Sequence, residues 1–246
     1  MYQFFVTHQA IESDGIRITG PDVNHIKNVL RLKPGETICI SDAAGREYTC
    51  KIEELTSDMV FAKIEDVQTA SAELPVEVYL FQGYPKGDKM ETIIQKTVEL
   101  GVAKIIPVMT KRSVVRLDEK KAVKKQERFQ AVALAAAKQA KRGVIPQVLP
   151  VMSFSEALSL AETLDMILVP YENAEGVKAS KKRIQEIAGH KSLGIFIGPE
   201  GGFDAEEIAR IEDMGGHSIT LGHRILRTET AGMTVMSIVM YELEED

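Results

Sequence analysis

The run Ile195-Phe-Ile-Gly-Pro-Glu-Gly-Gly-Phe203 joins an apolar stretch to a glycine-rich turn, and Asp204-Ala-Glu-Glu207 follows as a capping box that opens a helix. Gly198, Gly201 and Gly202 leave main-chain N–H and C=O groups open to a bound molecule, because no Cβ shields them. Ile197 leads into the turn, and Pro199 and Glu200 lie within it. The spacing is not that of the dinucleotide fingerprint, and no ribose-binding acid is identifiable about twenty residues on. A plain strand-to-helix turn would use the same residues.

A second run, Thr220-Leu-Gly-His-Arg-Ile-Leu-Arg-Thr-Glu-Thr-Ala231, has the same form. Leu221, Gly222, Ile225 and Leu226 are its candidate ligand contacts, with Ile225 and Leu226 expected to be buried. Arg224 and Arg227 in one tight loop repel each other unless an anion lies nearby, which makes Arg227 a candidate anion contact beside Glu229. Thr228 reads either as a contact to the same ligand or as the N-cap of the last helix. In a third loop, Leu168-Val-Pro-Tyr-Glu-Asn173, Val169 and Pro170 either complete the pocket or make a simple proline turn. Gly83-Tyr-Pro-Lys-Gly-Asp-Lys89 lacks phosphate-loop spacing, so Lys86 and Lys89 are phosphate contacts or, by default, solvated charges.

Loops of this kind need strands to hold them. From residue 76 onward, apolar strands are expected at 76–81, 104–109, 166–169, 193–197 and 217–221. Helical patterns lie between them at 89–100, 118–141, 154–162, 178–188 and 204–214. The alternation predicts a mostly parallel α/β sheet, with ligands beyond the carboxyl ends of its strands. Gly101, Gly143, Gly189 and Gly215 stand where a left-handed residue ends a helix. The last helix, 228–243, is apolar nearly all round and is therefore expected to be buried, in the core or against a second subunit. Before residue 72, short strands at 4–7, 16–19, 36–41, 48–53 and 59–65 predict a small barrel, with a one-sided helix at 22–31 over its mouth. Residues 68–75 read as the linker, so the domains are 1–72 and 73–246.

The 246 residues carry a formal charge of -6, which by itself argues against nucleic acid. The distribution reverses that reading. Residues 111–142 hold eleven basic and three acidic side chains, a net +8, and leave -14 on the other 214 residues. Lys121, Lys124 or Lys125, and Arg128 share one stripe of the 118–141 helix, with Arg112, Arg116 and Arg142 elsewhere in the segment. Either this is a solvated face or it is a surface for RNA or DNA, which Arg31 and Lys33 would extend. Cys39 and Cys50 are too few for a disulfide framework or a zinc site, and the five histidines show no metal-ligand spacing. The start of the chain lacks a secretory pattern and no run approaches membrane-spanning length, so a cytoplasmic protein without metal is expected.

Several of these residues together resemble one family over nearly the whole chain. They are His25-Ile-Lys-Asn-Val-Leu-Arg-Leu-Lys33, Lys86-Gly-Asp88, Gln95-Lys96 with Glu99-Leu-Gly-Val102, Arg112-Ser113, Gln139 with Arg142 and Pro146, Gly198-Pro-Glu-Gly-Gly-Phe203, and Leu221-Gly-His-Arg-Ile-Leu-Arg-Thr-Glu-Thr-Ala231. The chain looks like the bacterial ribosomal RNA small subunit methyltransferase E family of the SPOUT superfamily. It departs at Thr97-Val98, where members often have Ala-Thr, and at Lys138, where some carry Glu.

The resemblance implies a PUA-like N-terminal barrel that binds RNA and an α/β domain with a deep trefoil knot, which gathers the three loops into one S-adenosyl-L-methionine pocket. It also implies a homodimer, and methylation of N3 of a uridine in 16S ribosomal RNA, free or in the assembled particle. Arg227 would then stabilise charge on the uracil, either Glu229 or Glu200 would accept the N3 proton, and Gln139 would join the RNA contacts. Two other readings stand beside it: a SPOUT enzyme that methylates ribose 2′-OH, and an RNA-binding or ribosome-assembly protein without catalysis.

Overall fold

Tyr48, Cys50 and Ile52 alternate with polar neighbours, so one face of their strand must be covered. In the computed structural model, which describes residues 1–115, 118–172, 174 and 176–244, they lie on β4. The first sheet has β1 (Gln3–Phe5), β2 (Gly15–Thr19), β3 (Thr37–Ser41), β4 (Arg46–Leu55) and β5 (Met59–Thr69) in the order β1-β3-β4-β5-β2. β1 runs parallel to β3 and the other pairs are antiparallel. The expected barrel is thus a five-stranded sheet whose outer strands β1 and β2 do not pair among the described residues. Phe4, Ile16, Ile18, Ile38, Ile40, Tyr48, Cys50, Ile52, Val60 and Ala62 fill its core, with Val23 and Ile26 from the adjoining helix. That helix is not uniform: α1 (Pro21–Asn24) passes into a π-helical turn at His25–Val29, where the Leu30 N–H bonds the His25 carbonyl five residues back. Arg31, at φ 55°, then ends it.

Two compact units are present, Met1–Glu73 with Ala137–Ile145, and Leu74–Ala136 with Pro146–Asp246. Residues 137–145 join the first unit through bonds the sequence did not signal. The Ser41 hydroxyl donates to the Gly143 carbonyl at 2.6 Å, and the Gln3 side chain to the Arg142 carbonyl at 2.9 Å. Arg142 is 3% exposed and forks onto Glu73, whose Oε1 also accepts from the Gly143 and Val144 N–H groups. The stretch expected as a linker is therefore part strand, to Thr69, and part anchor, at Glu73.

In the second unit, β6 (Glu77–Gly83), β7 (Lys104–Met109), β8 (Gln147–Val148), β10 (Met166–Pro170), β11 (Ser192–Ile197) and β12 (His217–Ile219) lie in the order β12-β10-β11-β6-β7-β8, and β9 (Met152–Ser153) also pairs with β7. All these pairs are parallel. The helices are α2 (Lys89–Glu99), α3 (Glu119–Gln139), α4 (Phe154–Ala161), α5 (Val177–Gln185), α6 (Ala205–Asp213) and α7 (Thr228–Leu243). Phe81 and Phe196 stack at 4.4 Å in a core they share with Phe154, Ala157, Ile208 and Ile211 of α4 and α6. α7 packs on α2 and α5.

Three local features add to or differ from what the sequence shows. β8 and β9, of two residues each, were too short to show a period. Gly101 and Gly215 are left-handed as expected, but Gly143 and Gly189 are not, and Lys141 takes φ 56° in place of a glycine. Finally, α7 buries Gly232, Val235, Met236, Val239 and Leu243 within this chain and leaves Tyr241 85% exposed, on the side that the second-subunit alternative concerns.

Candidate functional site

β12, β10 and β11 are neighbours, so the loops leaving their carboxyl ends meet. Those loops and the start of α7 line a cleft of about 910 Å³. Such a volume lies within the range of small-molecule sites. Its walls include Pro170, Ile197 to Phe203, Thr220 to Thr228, and also Lys89 and Arg112. Val169, the remaining candidate contact, is fully buried beneath this surface in β10.

Close backbone packing builds the glycine turn. A Cβ on Gly198 would stand 2.9 Å from the Gly202 backbone, and one on Gly83 only 2.6 Å from the Pro199 nitrogen. Gly202 has φ 65° and Gly222 φ 117°, both in the region that glycine enters without strain. Among the wall residues, the Thr220 hydroxyl accepts from the Gly222 N–H at 3.2 Å, which folds that loop back.

Thr228 ties the turn to the sheet. Its hydroxyl donates to the Gly198 carbonyl at 2.6 Å and accepts from Gln82 Nε2 at 2.8 Å. It is the first residue of α7, and the N-cap is Arg227, so the capping reading of Thr228 gives way to this bridge. Gln82 is wholly buried on β6, and its Oε1 has no hydrogen-bond partner among the described residues. A Cβ on Gly232 would lie 3.6 Å from that oxygen, an ordinary van der Waals contact, so α7 packs directly over the Gln82 amide. Gln82 was missed in the sequence; its one signal is a polar residue at the end of a run of buried apolar ones.

Charges gather around Lys89. Its ammonium lies 2.9 Å from Glu200 and 3.5 Å from Glu229. Glu200 also accepts from the Lys86 N–H at 3.1 Å. Burial pushes the Glu200 carboxyl up, but the bonds from Lys89 and from the N–H groups of Glu200 and Lys86 outweigh it and leave it below the ordinary carboxylate value. The hydrogen bond from Lys89 to Glu200 in turn raises the lysine, against a smaller opposing effect of burial. Glu200 is on the cleft wall, whereas Glu229 is not part of it and reaches it through Lys89. Arg227 lines the cleft and is exposed. Ile225, expected inside, is 90% exposed on the same loop, and Leu226 beside it is half-buried.

Across the turn, the Arg112 guanidinium donates to the Gly201 carbonyl at 2.9 Å and lies 3.6 Å from Asp204, so this residue, expected at RNA, also braces the glycine loop. The basic side chains of α3 are dispersed in their pairing. Lys121 is paired with Asp118 and Arg128 with Glu91, Lys124 is exposed, and Lys125 lies 5.8 Å over the Phe129 ring. Arg31, Lys33, Lys86 and Gln139 are exposed. Arg142 is buried on Glu73 and drops out as a phosphate contact, because its guanidinium is 3% exposed and already forked onto that carboxylate. Arg116 and Asn173 lie outside the described residues. Among the described residues no cluster of three His, Cys, Asp or Glu could hold a metal ion, and no helix is long and apolar enough to cross a membrane. Cys39 and Cys50 are free, and burial pushes the Cys50 thiol up to about 12.

Known proteins share this architecture. The pattern of an RNA methyltransferase domain family matches residues 72–240, and that of an RNA methyltransferase PUA domain matches residues 18–65. The chain is 38% identical to ribosomal RNA small subunit methyltransferase E of Bacillus subtilis, covering 99% of this chain and 98% of that one. A crystal structure of a ribosomal RNA small subunit methyltransferase E from Neisseria gonorrhoeae bound to S-adenosyl methionine is 32% identical, covers 96% of this chain and 95% of its own, and superposes with a TM-score of 0.80. A putative methyltransferase from Legionella pneumophila in complex with the same cofactor is 28% identical, covers 97% and 96%, and superposes with a TM-score of 0.81.

Proposed function

Because the chain belongs to the ribosomal RNA small subunit methyltransferase E family, we propose that it methylates N3 of a uridine in 16S ribosomal RNA, using S-adenosyl-L-methionine held in the cleft at the ends of β10, β11 and β12. The cleft itself carries this reading: three loops present main-chain groups to one cavity, and Gly83 and Gly198 permit a backbone approach that any Cβ would block. Ile197 to Gly202, Leu221, Gly222, Ile225, Leu226 and Pro170 would hold the adenosine and methionine parts, and Val169 and Thr228 would set the backbone behind them. When bound, the cofactor supplies an electrophilic sulfonium methyl.

The chain's own part is placement, charge and proton transfer. Arg227 on the cleft wall would face the uracil and stabilise the negative charge that grows as N3 loses its proton. Glu200 would take that proton. It lines the cleft and is ionised, whereas Glu229 stands behind Lys89. A carboxylate held below its ordinary value is a weak base toward an imide, so the proton leaves as the methyl bond forms, when N3–H becomes strongly acidic.

RNA contact is assigned to residues 1–72 as a PUA-like barrel with Arg31 and Lys33, and to Lys86, Arg112, Lys121, Lys124, Lys125, Arg128 and Gln139, with methyl transfer in 73–246. The enzyme would be a cytoplasmic homodimer, its cleft loops threaded as a trefoil knot; the exposed apolar Ile225 and Tyr241 support a covering subunit. The test is to incubate labelled cofactor with small subunits lacking the modification and to map the methylated base. A label on N3 of a uridine is the expected result. A label on a ribose 2′-OH would replace this reading with the ribose enzyme, and absence of cofactor binding would favour a non-catalytic RNA-binding protein.

A further inference from the structure

A lysine at the first position of a helix faces the positive end of the helix dipole, an unfavourable place for a cation. Lys89 occupies that position in α2, beside an Asp88 N-cap that makes no side-chain capping bond. What compensates is a pair of carboxylates from far along the chain, Glu200 at 2.9 Å and Glu229 at 3.5 Å. The three side chains are 20–31% exposed, so their mutual charges are only partly screened by water. One ammonium thus serves two carboxylates, of which Glu200 faces the cleft and Glu229 does not. Other charges nearby are engaged elsewhere: Glu91 of α2 with Arg128, and Arg112 with Gly201 and Asp204. Arg227 flanks the cluster as the N-cap of α7.

We propose that Lys89 is a positioning residue whose ammonium is shared between Glu200 and Glu229, so that when Glu200 accepts a proton the ammonium keeps Glu229 as its counter-ion. With Glu200 and Glu229 ionised and Lys89 charged, the trio carries a net -1. Protonation of Glu200 makes it neutral, and the lysine is never left unpaired in a half-buried place. Without Glu229, protonation of Glu200 would strand the ammonium and become harder. Without Lys89, two carboxylates would face each other across its space, and protonation of Glu200 would become easier. The two removals therefore push the same carboxyl in opposite directions, which a simple tether between loops would not do.

This inference rests on Glu200 as the proton acceptor, and the experiment separates the two. The Glu200 side-chain carboxyl is followed by NMR titration in carboxyl-13C-glutamate protein without RNA, assigned by its loss in Glu200→Gln, in wild type, Lys89→Met and Glu229→Gln. Single-turnover methylation of small-subunit RNA is then measured against pH in the same proteins. The proposal expects the Glu200 titration and the acid limb of the rate profile to move up in Lys89→Met and down in Glu229→Gln. Shifts in one direction only, or none, overturn it. Should Lys89→Met fail to fold, Lys89→Gln replaces it, and an unmoved or upward shift in Glu229→Gln is by itself enough to refute the sharing. The acceptor reading fails separately, if Glu200→Gln keeps its acid limb and loses less than about tenfold in rate, since a general base is worth ~100-fold or more.

Discussion

Arg227 and Glu229 are two residues apart yet have different duties, since one lines the cleft and the other backs a lysine. Arg227→Ala is expected to lower the methyl-transfer rate by about 100-fold or more, with cofactor affinity nearly unchanged, because a donor to developing charge acts mainly in the transition state. Rates at saturating cofactor together with calorimetric binding check this; lost affinity with a normal saturated rate would refute it. Thr228 acts instead through the ground state. Thr228→Val takes the hydroxyl donor from the Gly198 carbonyl and leaves the Gln82 amide only its bond to the Gly83 carbonyl, at a cost of about 1–3 kcal/mol, and should weaken cofactor binding, whereas Thr228→Ser should restore both. At this scale the glycine turn and the place of Arg227 on the cleft wall were legible, because a glycine cluster and repelling charges are local signals. Gln82 and the Lys89 pairs were not, since their partners lie 146 and 111 residues away along the chain.

Helix ends hold several of the carboxylates in this protein. The Asp204 carboxyl is held low by the Glu206 N–H and then by Lys111, and Glu156 by the Ser153 hydroxyl and N–H. A carboxyl lowered by folding stabilises the native state above its unfolded value and loses that contribution as pH falls through the folded one. The melting temperature should therefore drop as the medium is acidified through and below the ordinary carboxylate range, and the drop should be shallower in Asp204→Asn. Scanning calorimetry against pH measures both. On α3, the paired Lys121 and Arg128 predict an uneven response to charge reversal. Lys124→Glu should weaken RNA binding and reduce the slope of log affinity against log salt by about 0.7–0.9 for each phosphate that is no longer neutralised. An unchanged slope would make that face merely solvated. The long elements were readable because their periods run for many residues; α7 was placed to the residue, though not its exposed Tyr241 face, since composition does not tell which side a neighbour covers. β8 and β9 carry two residues each and offered no period.

For the molecule as a whole, the division into a sheet-rich unit and a parallel α/β unit followed from the change of rhythm near residue 76, but the membership of residues 137–145 did not, because it rests on tertiary bonds. Glu73 is the test of that membership. Glu73→Ala removes the carboxylate fork from the Arg142 guanidinium and the acceptor of two N–H groups, and is expected to cost about 1–3 kcal/mol in denaturant unfolding. A loss below about 1 kcal/mol would show the anchor to be dispensable. The same anchor orders events in time. Glu73 and Arg142 are 69 residues apart, and at synthesis rates of roughly 5–20 residues per second the carboxylate waits several seconds for its guanidinium. The first unit thus leaves the ribosome with a seam open, Ser41 and Glu73 lacking their partners, until much of the second has been made. An enzyme of ribosomal RNA maturation therefore cannot close its first unit until the ribosome has passed residue 145.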